Sequence, residues 1–426
     1  MTMNETKRIV VWRFWLALAV AIGMVWPGTG AWAASKHQPI TLELIALMKT
    51  RPEIKTMLNE SIEKADKINP DRATNPVTSL DKYLDYVDKT SKLIPRDILA
   101  NPPSIIRDQI LQSICYFYFL IDQPLGELND KDLFKPSIQY YPPFATWTRQ
   151  FADAWGQYLN TPASWDQSTY EQFYADPSFG LTTGWYESPA NWTTFNQFFA
   201  RFLSSPDQRP IADAGDPSVV AAPADSVPQG AWPIDGESRI QVKGGLQIKL
   251  ARFFSIPQLL GEDSPYKDAF ANGMLTHTFL NVNDYHRYHF AVGGIVKDKR
   301  TIQQNVSLEV SWNKETGRYD PVDSTGWQFS QTRGYVIVDT ERFGLVALIP
   351  MGMAQVSSVM FDDTVKPGSQ HNKGEMLGNF LFGGSDFVML FQKQAGFEIT
   401  APRSGEEFKH LLMGEAYGVM LGAASN

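Results

Sequence analysis

The chain has 426 residues, 43% of them apolar and 20% charged, which is material for one large domain or two smaller ones with a substantial core. Its formal net charge is −8 with no basic run, so the electrostatic footprint of a nucleic-acid partner is missing. Cys115 is the single cysteine, which excludes an intrachain disulfide, and its apolar surroundings in "LQSICYFYFLI" point to burial.

Taken in chain order, the first segment has the pattern of an export signal. Lys7, Arg8 and Arg13 precede an apolar run from Phe14 to Trp26. Pro27, Gly28 and Gly30 break the run, and Ala31-Trp32-Ala33 is a small-x-small cleavage site. The run is shorter than the roughly 20 residues needed to span a bilayer. Residues 1–33 therefore read as a signal peptide, which places the mature chain in a periplasm or outside the cell. Its removal takes away three basic residues and one acidic residue, so the net charge moves from −8 to −10. That charge disfavours simple electrostatic adhesion to an anionic membrane.

Residues 38–125 read as helical. In "RPEIKTMLNESIEKADKI" the residues Ile54, Met57, Leu58, Ile62 and Ala65 share one helix face, with Pro52 near its start. Leu80, Tyr83, Leu84 and Val87 repeat the spacing. Residues 126–190 are rich in Trp, Tyr, Pro and Gly and show weak periodicity, so they read as an irregular, aromatic-packed connection. "NWTTFNQFFARFL" then predicts a short helix with Phe195, Phe198, Phe199 and Phe202 on one side. From about residue 205 the chain changes to short apolar or alternating runs separated by Gly, Asp, Asn and Pro, among them "LTHTFLNV", "VSLEVSW", "GYVIVDT", "GLVALIP" and "FVMLF". This is the signature of antiparallel strands. The predicted class is α+β: a helical, aromatic-rich domain over residues 34–190, then a mainly antiparallel β domain over 191–426.

Three stretches of the β part carry candidate chemistry. "NDYHRYHFAVGG" holds His286 and His289; an extended backbone there sends them to opposite faces. With His277 they could form a three-imidazole metal site, and two ordinary hydrogen-bonded histidines are the plainer reading. "PADS" puts Asp225 on a turn, and "VALIPMGMAQVSSV" reads as a core hairpin turning at Gly352. "LGNFLFGGSDFVMLFQ" reads as a strand, a tight turn and a second strand, either an ordinary hairpin or a turn built for chemistry at Ser385. A serine after two glycines can attack the preceding carbonyl, because glycine lets the backbone bend without a side-chain clash. A histidine oriented by a carboxylate would serve as the base, and Ser385, His289 and Asp225 are the candidates.

In order along residues 193–392, the blocks "TFNQFFARFL" with "RPI", "VVAAPADS", "IQVKG", "DYHRYHF", "VALIPMGMAQVSSV" and "KGEMLGNFLFGGS" resemble the phosphatidylserine decarboxylase family. The resemblance implies a self-cleaving decarboxylase, a carboxy-lyase, whose cofactor is a pyruvoyl group made from Ser385. Gly384 would end the larger fragment, His289 and Asp225 would assist cleavage, and His286 would serve decarboxylation through a Schiff base to the substrate amine. It also implies phosphatidylserine or a free amino acid, aromatic ones included, as substrate, peripheral membrane contact and a homodimer. No metal is required. Residues 38–190 are more loosely similar to the helical extension of the branch that includes fungal tryptophan decarboxylase, a branch that acts on a free amino acid, and the choice between the two substrates stays open. Two positions depart from the family pattern. Asp386 stands where Thr or Ser is usual, and Ser226 stands where Gly is usual. A carboxylate beside Ser385 could repel an anionic cleavage intermediate and the substrate carboxylate, or it could point away, and strand alternation, which sends neighbouring side chains to opposite faces, favours the harmless reading. The rival readings are a non-cleaving secreted binding protein on the same scaffold and a metal-binding protein using His277, His286 and His289.

Overall fold

A computed structural model describes residues 36–95, 106–240, 255–322, 330–353 and 359–422. The signal-peptide reading, most of "IQVKG" and the "AQVSS" stretch lie outside these residues. Four helices open the described chain: α1 (Pro39–Thr50), α2 (Pro52–Ile68), α3 (Leu80–Thr90) and α4 (Ile106–Phe119). Their ends follow local chemistry. Pro52 begins α2, whose first turn carries Glu53 and whose last turn carries Lys67, both matched to the helix dipole. Ser79 caps α3 by accepting from the Lys82 amide. The buried faces are the predicted ones, including Ile54, Met57, Leu58, Ile62 and Ala65 on α2.

The stretch read as irregular contains two helices, α5 (Pro142–Leu159) and α6 (Gln167–Ala175). In α5 the buried face runs Phe144, Thr148, Phe151, Trp155 and Leu159, a regular helical stripe. Helix α7 (Phe195–Phe199) starts at a capping box between Thr194 and Gln197 and is shorter than expected. It ends before Phe202, whose ring is exposed beneath the Arg287 guanidinium. A last short helix, α8, spans Ile256–Leu260. Among the described residues, no helix is long and apolar enough to cross a membrane.

The β part comprises β1 (Val219–Ala221), β2 (Val227–Pro233), β3 (Met274–Leu280), β4 (Arg287–His289), β5 (Gly294–Ile302) and β6 (Val310–Asn313). It continues with β7 (Arg318–Pro321), β8 (Thr332–Asp339), β9 (Leu345–Met353), β10 (Val359–Phe361), β11 (Gln370–His371) and β12 (Met376–Phe380). It closes with β13 (Gly384–Phe391), β14 (Phe397–Ile399), β15 (Arg403–Ser404), β16 (Glu407–Phe408) and β17 (Ala416–Met420). The main sheet has seven strands in the order β11-β5-β8-β9-β13-β3-β2, and its pairings are antiparallel. Two three-stranded sheets, β10-β12-β4 and β1-β17-β14, pack with it. The α+β class is as predicted.

Two expected hairpins are not hairpins. Strand β12 pairs with β10 and β4, whereas β13 pairs with β9 and β3, so the Leu381–Gly383 turn crosses from one sheet to another. Strand β9 likewise runs straight through Gly352, and β10 joins the other sheet. Apolar runs flanking a glycine turn signal two strands but not their partners. The helices and one face of the main sheet share an apolar core, in which Trp155, Phe195 and Phe199 meet Phe382, while a second cluster on the other face gathers α8 with Ile337, Ile349 and Val388; residues His37–Asn426 form one compact unit.

Candidate functional site

Ser385 is the second residue of β13. It stands opposite Gly352 on β9 and Leu280 on β3. Side chains on a strand alternate, so Ser385 shares a face with Phe387, Met389 and Phe391, which enter the main core. The cross-strand neighbour Gly352 has no side chain, which leaves room beside the serine. Ser385 is fully buried, and its hydroxyl has no hydrogen-bond partner among the described residues. A buried hydroxyl without a partner costs roughly 1–3 kcal/mol, which a fold retains where the group has a use.

The turn ahead of it is tightly held. Gly383 has φ 143°, a conformation that side-chain-bearing residues rarely adopt. The Phe382 ring is wedged among Trp155 of α5 (5.3 Å) and Phe195 and Phe199 of α7 (5.5 and 5.4 Å). Its amide donates to Asn196 Oδ1 at 3.2 Å. The helical region thus fixes the residue two positions before Gly384.

His286 is fully buried with its ring stacked on Phe199, the centroids 3.8 Å apart. Neither ring nitrogen has a hydrogen-bond partner among the described residues. Burial, with the nearby Arg201 charge, holds its pKa well below the usual histidine range, so the ring is neutral. Arg201 also fixes the turn leading to His286, donating to the carbonyls of Asn283 (2.9 Å) and Asp284 (3.2 Å).

His289 is placed differently. Its Nδ1 donates to the Gly374 carbonyl at 2.8 Å, which leaves Nε2 to accept from the Tyr285 hydroxyl at 3.2 Å. Burial lowers its pKa to about 4, against the opposing pull of the Gly374 carbonyl and Asp225. Asp225 feels His289 electrostatically but does not hydrogen-bond to it. Its carboxylate is gripped by Arg209, Nε to Oδ1 at 2.9 Å and Nη2 to Oδ2 at 2.6 Å, and by the Met413 amide at 2.7 Å. The backbone links the two segments instead, the His289 amide donating to the Pro223 carbonyl at 2.7 Å. The predicted Ser385, His289 and Asp225 are therefore not a hydrogen-bonded relay in this state of the chain.

The three-histidine metal reading is corrected by the same geometry. His277 lies on the opposite face of the main sheet, with Nε2 3.0 Å from Asp386 Oδ1. His286 stacks on a phenylalanine, and His289 is engaged by Gly374 and Tyr285. Among the described residues, these histidines do not form a group with converging ligand atoms. Asp386 is fully buried beside His277 and directed away from Ser385, as the alternation predicted. Sequence reasoning missed Arg209, although "RPI" flagged its position, and missed the His277–Asp386 pair altogether.

Comparison with known proteins matches the sequence of this chain to a family. The phosphatidylserine decarboxylase profile covers residues 195–419, just over half of the chain. Phosphatidylserine decarboxylase proenzyme 2 of Oryza sativa subsp. japonica is 32% identical over 233 residues, 54% of this chain and 34% of that protein. The decarboxylase iboD of Amanita muscaria is 26% identical over 300 residues, 63% of this chain and 82% of that protein. A phosphatidylserine decarboxylase proenzyme of Chlamydia trachomatis is 31% identical over 209 residues, 48% of this chain and 61% of that protein. The match thus spans about a third of the rice protein and under two thirds of the chlamydial one, and most of the fungal one.

Proposed function

The chain belongs to the phosphatidylserine decarboxylase family, and from that premise we propose that it cuts itself between Gly384 and Ser385 and then acts as a pyruvoyl-dependent carboxy-lyase on phosphatidylserine or a free amino acid. The observation that carries this reading is the buried, unpartnered Ser385 hydroxyl at the start of a doubly paired strand, directly after Gly383 and Gly384. A group to be made from Ser385 fits there, because the residue needs neither its hydroxyl nor a bulky neighbour to hold the sheet.

In the first step Ser385 Oγ bonds to the Gly384 carbonyl carbon and the peptide C–N bond breaks, with the hydroxyl proton passing to the amine. His289, kept neutral by burial, is the base of this reading, and Asp225 supplies the negative charge that favours its transient protonation. Removal of the Ser385 α-proton then expels the Gly384 carboxylate and leaves dehydroalanine. Water converts this to a ketone with release of ammonia. The pyruvoyl group, once formed, supplies a carbonyl that condenses with a primary amine and takes up the electron pair released as carbon dioxide departs. His286 then has the task of moving a proton to the carbon that lost it. Its two unpartnered nitrogens and neutral ring suit that role.

Export through residues 1–33, peripheral membrane contact with a lipid substrate and a homodimer belong to the same reading. Denaturing intact-mass analysis tests its first step: the active protein should release a fragment of the 42 residues 385–426 bearing a pyruvoyl end. A single uncut chain with full activity would reject the mechanism. N-terminal sequencing of exported protein should begin at Ala34.

A further inference from the structure

Behind the Ser385 strand lies a cavity of about 190 Å³. It opens on the face of the main sheet opposite to Ser385, where Asp386 and His277 sit. Its apolar wall is Tyr140, Phe279 and Val322. Its polar wall includes the Asp386 and Glu309 carboxylates, both buried, Asp386 beside His277 and Glu309 bridged to Lys135. No lysine or arginine is among the described residues that line it.

Resting on the reading of function above, we propose that this cavity receives the side chain of the substrate, and that the substrate is a free amino acid with an apolar body and a hydrogen-bond-donating or cationic end. Three observations converge. The volume is below the 300–1,000 Å³ of sites for drug-sized ligands and suits a molecule of amino-acid size, with no room for a diacylglycerol. A phosphodiester would find no lysine or arginine among the described lining residues, and the nearest basic groups are already engaged, Lys135 by Glu309 and His277 by Asp386. The position is also right: the Asp386 nitrogen is bonded to the Ser385 carbonyl, so the cavity lies one residue from the reacting centre. Once Gly384 is cut away, residue 385 is a chain end whose Cα substituents can turn about the bond to its own carbonyl while the strand keeps both ladders. Asp386, the departure from the family pattern, becomes a specificity-determining residue with His277 as its positioning partner.

The test separates binding from chemistry. In a His286→Ala background, which should cut itself but turn over slowly, L-tryptophan, L-tyrosine, L-lysine and O-phospho-L-serine are titrated by calorimetry. At least one of the three free amino acids should bind and phosphoserine should not. Val322→Trp, which fills the rim from a partly exposed position, should abolish binding. Asp386→Asn should weaken it about tenfold or more, the loss of a charge-assisted contact. Circular dichroism confirms that each variant is folded. Tighter binding of phosphoserine, no binding by the three amino acids, or binding indifferent to Val322→Trp would overturn the proposal. In the self-cut wild type, Val322→Trp should raise KM and leave the fragment masses unchanged. A wild-type chain that never cuts itself would defeat the functional reading, whatever the cavity binds. A chain that cuts and decarboxylates with KM unmoved by Val322→Trp would defeat the cavity alone.

Discussion

Ser385 and Asp386 are neighbours in sequence and occupy opposite worlds. On one face of β13 the serine hydroxyl and the His286 nitrogens are buried without partners, among aromatic rings. On the other face Asp386 is matched to His277. The two-residue period of a strand makes the contrast possible: one backbone places a bare hydroxyl and a carboxylate paired with a histidine within a single peptide unit. The difference teaches that a carboxylate adjacent in sequence to a buried serine need not act on it. Its electrostatic influence is set by which face it takes and what it meets there.

The largest expected effect breaks the comparison at its bare side. Ser385→Ala should remove both the chain cut and all turnover, read by denaturing mass spectrometry and carbon dioxide release. Next comes His286→Ala, which should leave the cut intact and lower turnover by roughly 10²–10⁴-fold, the usual worth of a positioned proton carrier. If it blocks cutting instead, the roles given to His286 and His289 are exchanged.

A third change probes the satisfied charge near the site. Arg209→Met strands the buried Asp225 carboxylate and should cost about 3–5 kcal/mol in urea unfolding, with slower cutting. On the far face, Asp386→Thr should leave the cutting rate near that of the wild type while costing about 1–3 kcal/mol of stability through the unmatched His277. A large acceleration of cutting would show that the aspartate does act across the strand.

The mildest test is pH. His289 has a folded pKa near 4 and an unfolded value near 6.5, so below 6.5 the unfolded chain binds the extra proton first. Stability should therefore fall as pH drops from about 6.5 to about 4, with no further contribution from this group below that. His289→Gln should flatten that part of the profile.

How much of this could be read in advance depended on range. The 3.6-residue period of α2 is local, so Ile54, Met57 and Leu58 declared their face. In α5 the stripe runs through Phe144, Thr148, Phe151 and Trp155, and a leading Pro-Pro and dense aromatics concealed it; the aromatics serve as wedges against Phe382, a partner more than 200 residues away. The serine, both histidines and Asp225 could be singled out because they sit in contiguous motifs. Their partners could not. Arg209 meets Asp225 only after the loop folds back, and Asp386 finds His277 through strand pairing across more than 100 residues. Sheet membership, which turned two expected hairpins into crossings between sheets, is decided by long-range register that no local run encodes.

The position of β13 has a consequence for the proposed product. It is an interior strand, laddered to β9 along one edge and to β3 along the other. A cut at its first peptide bond would sever the covalent link without unzipping either ladder. The enzyme would travel through gel filtration as one particle and betray its two polypeptides only in detergent or urea, with the small piece serving as a permanently docked subunit that was never separately synthesised.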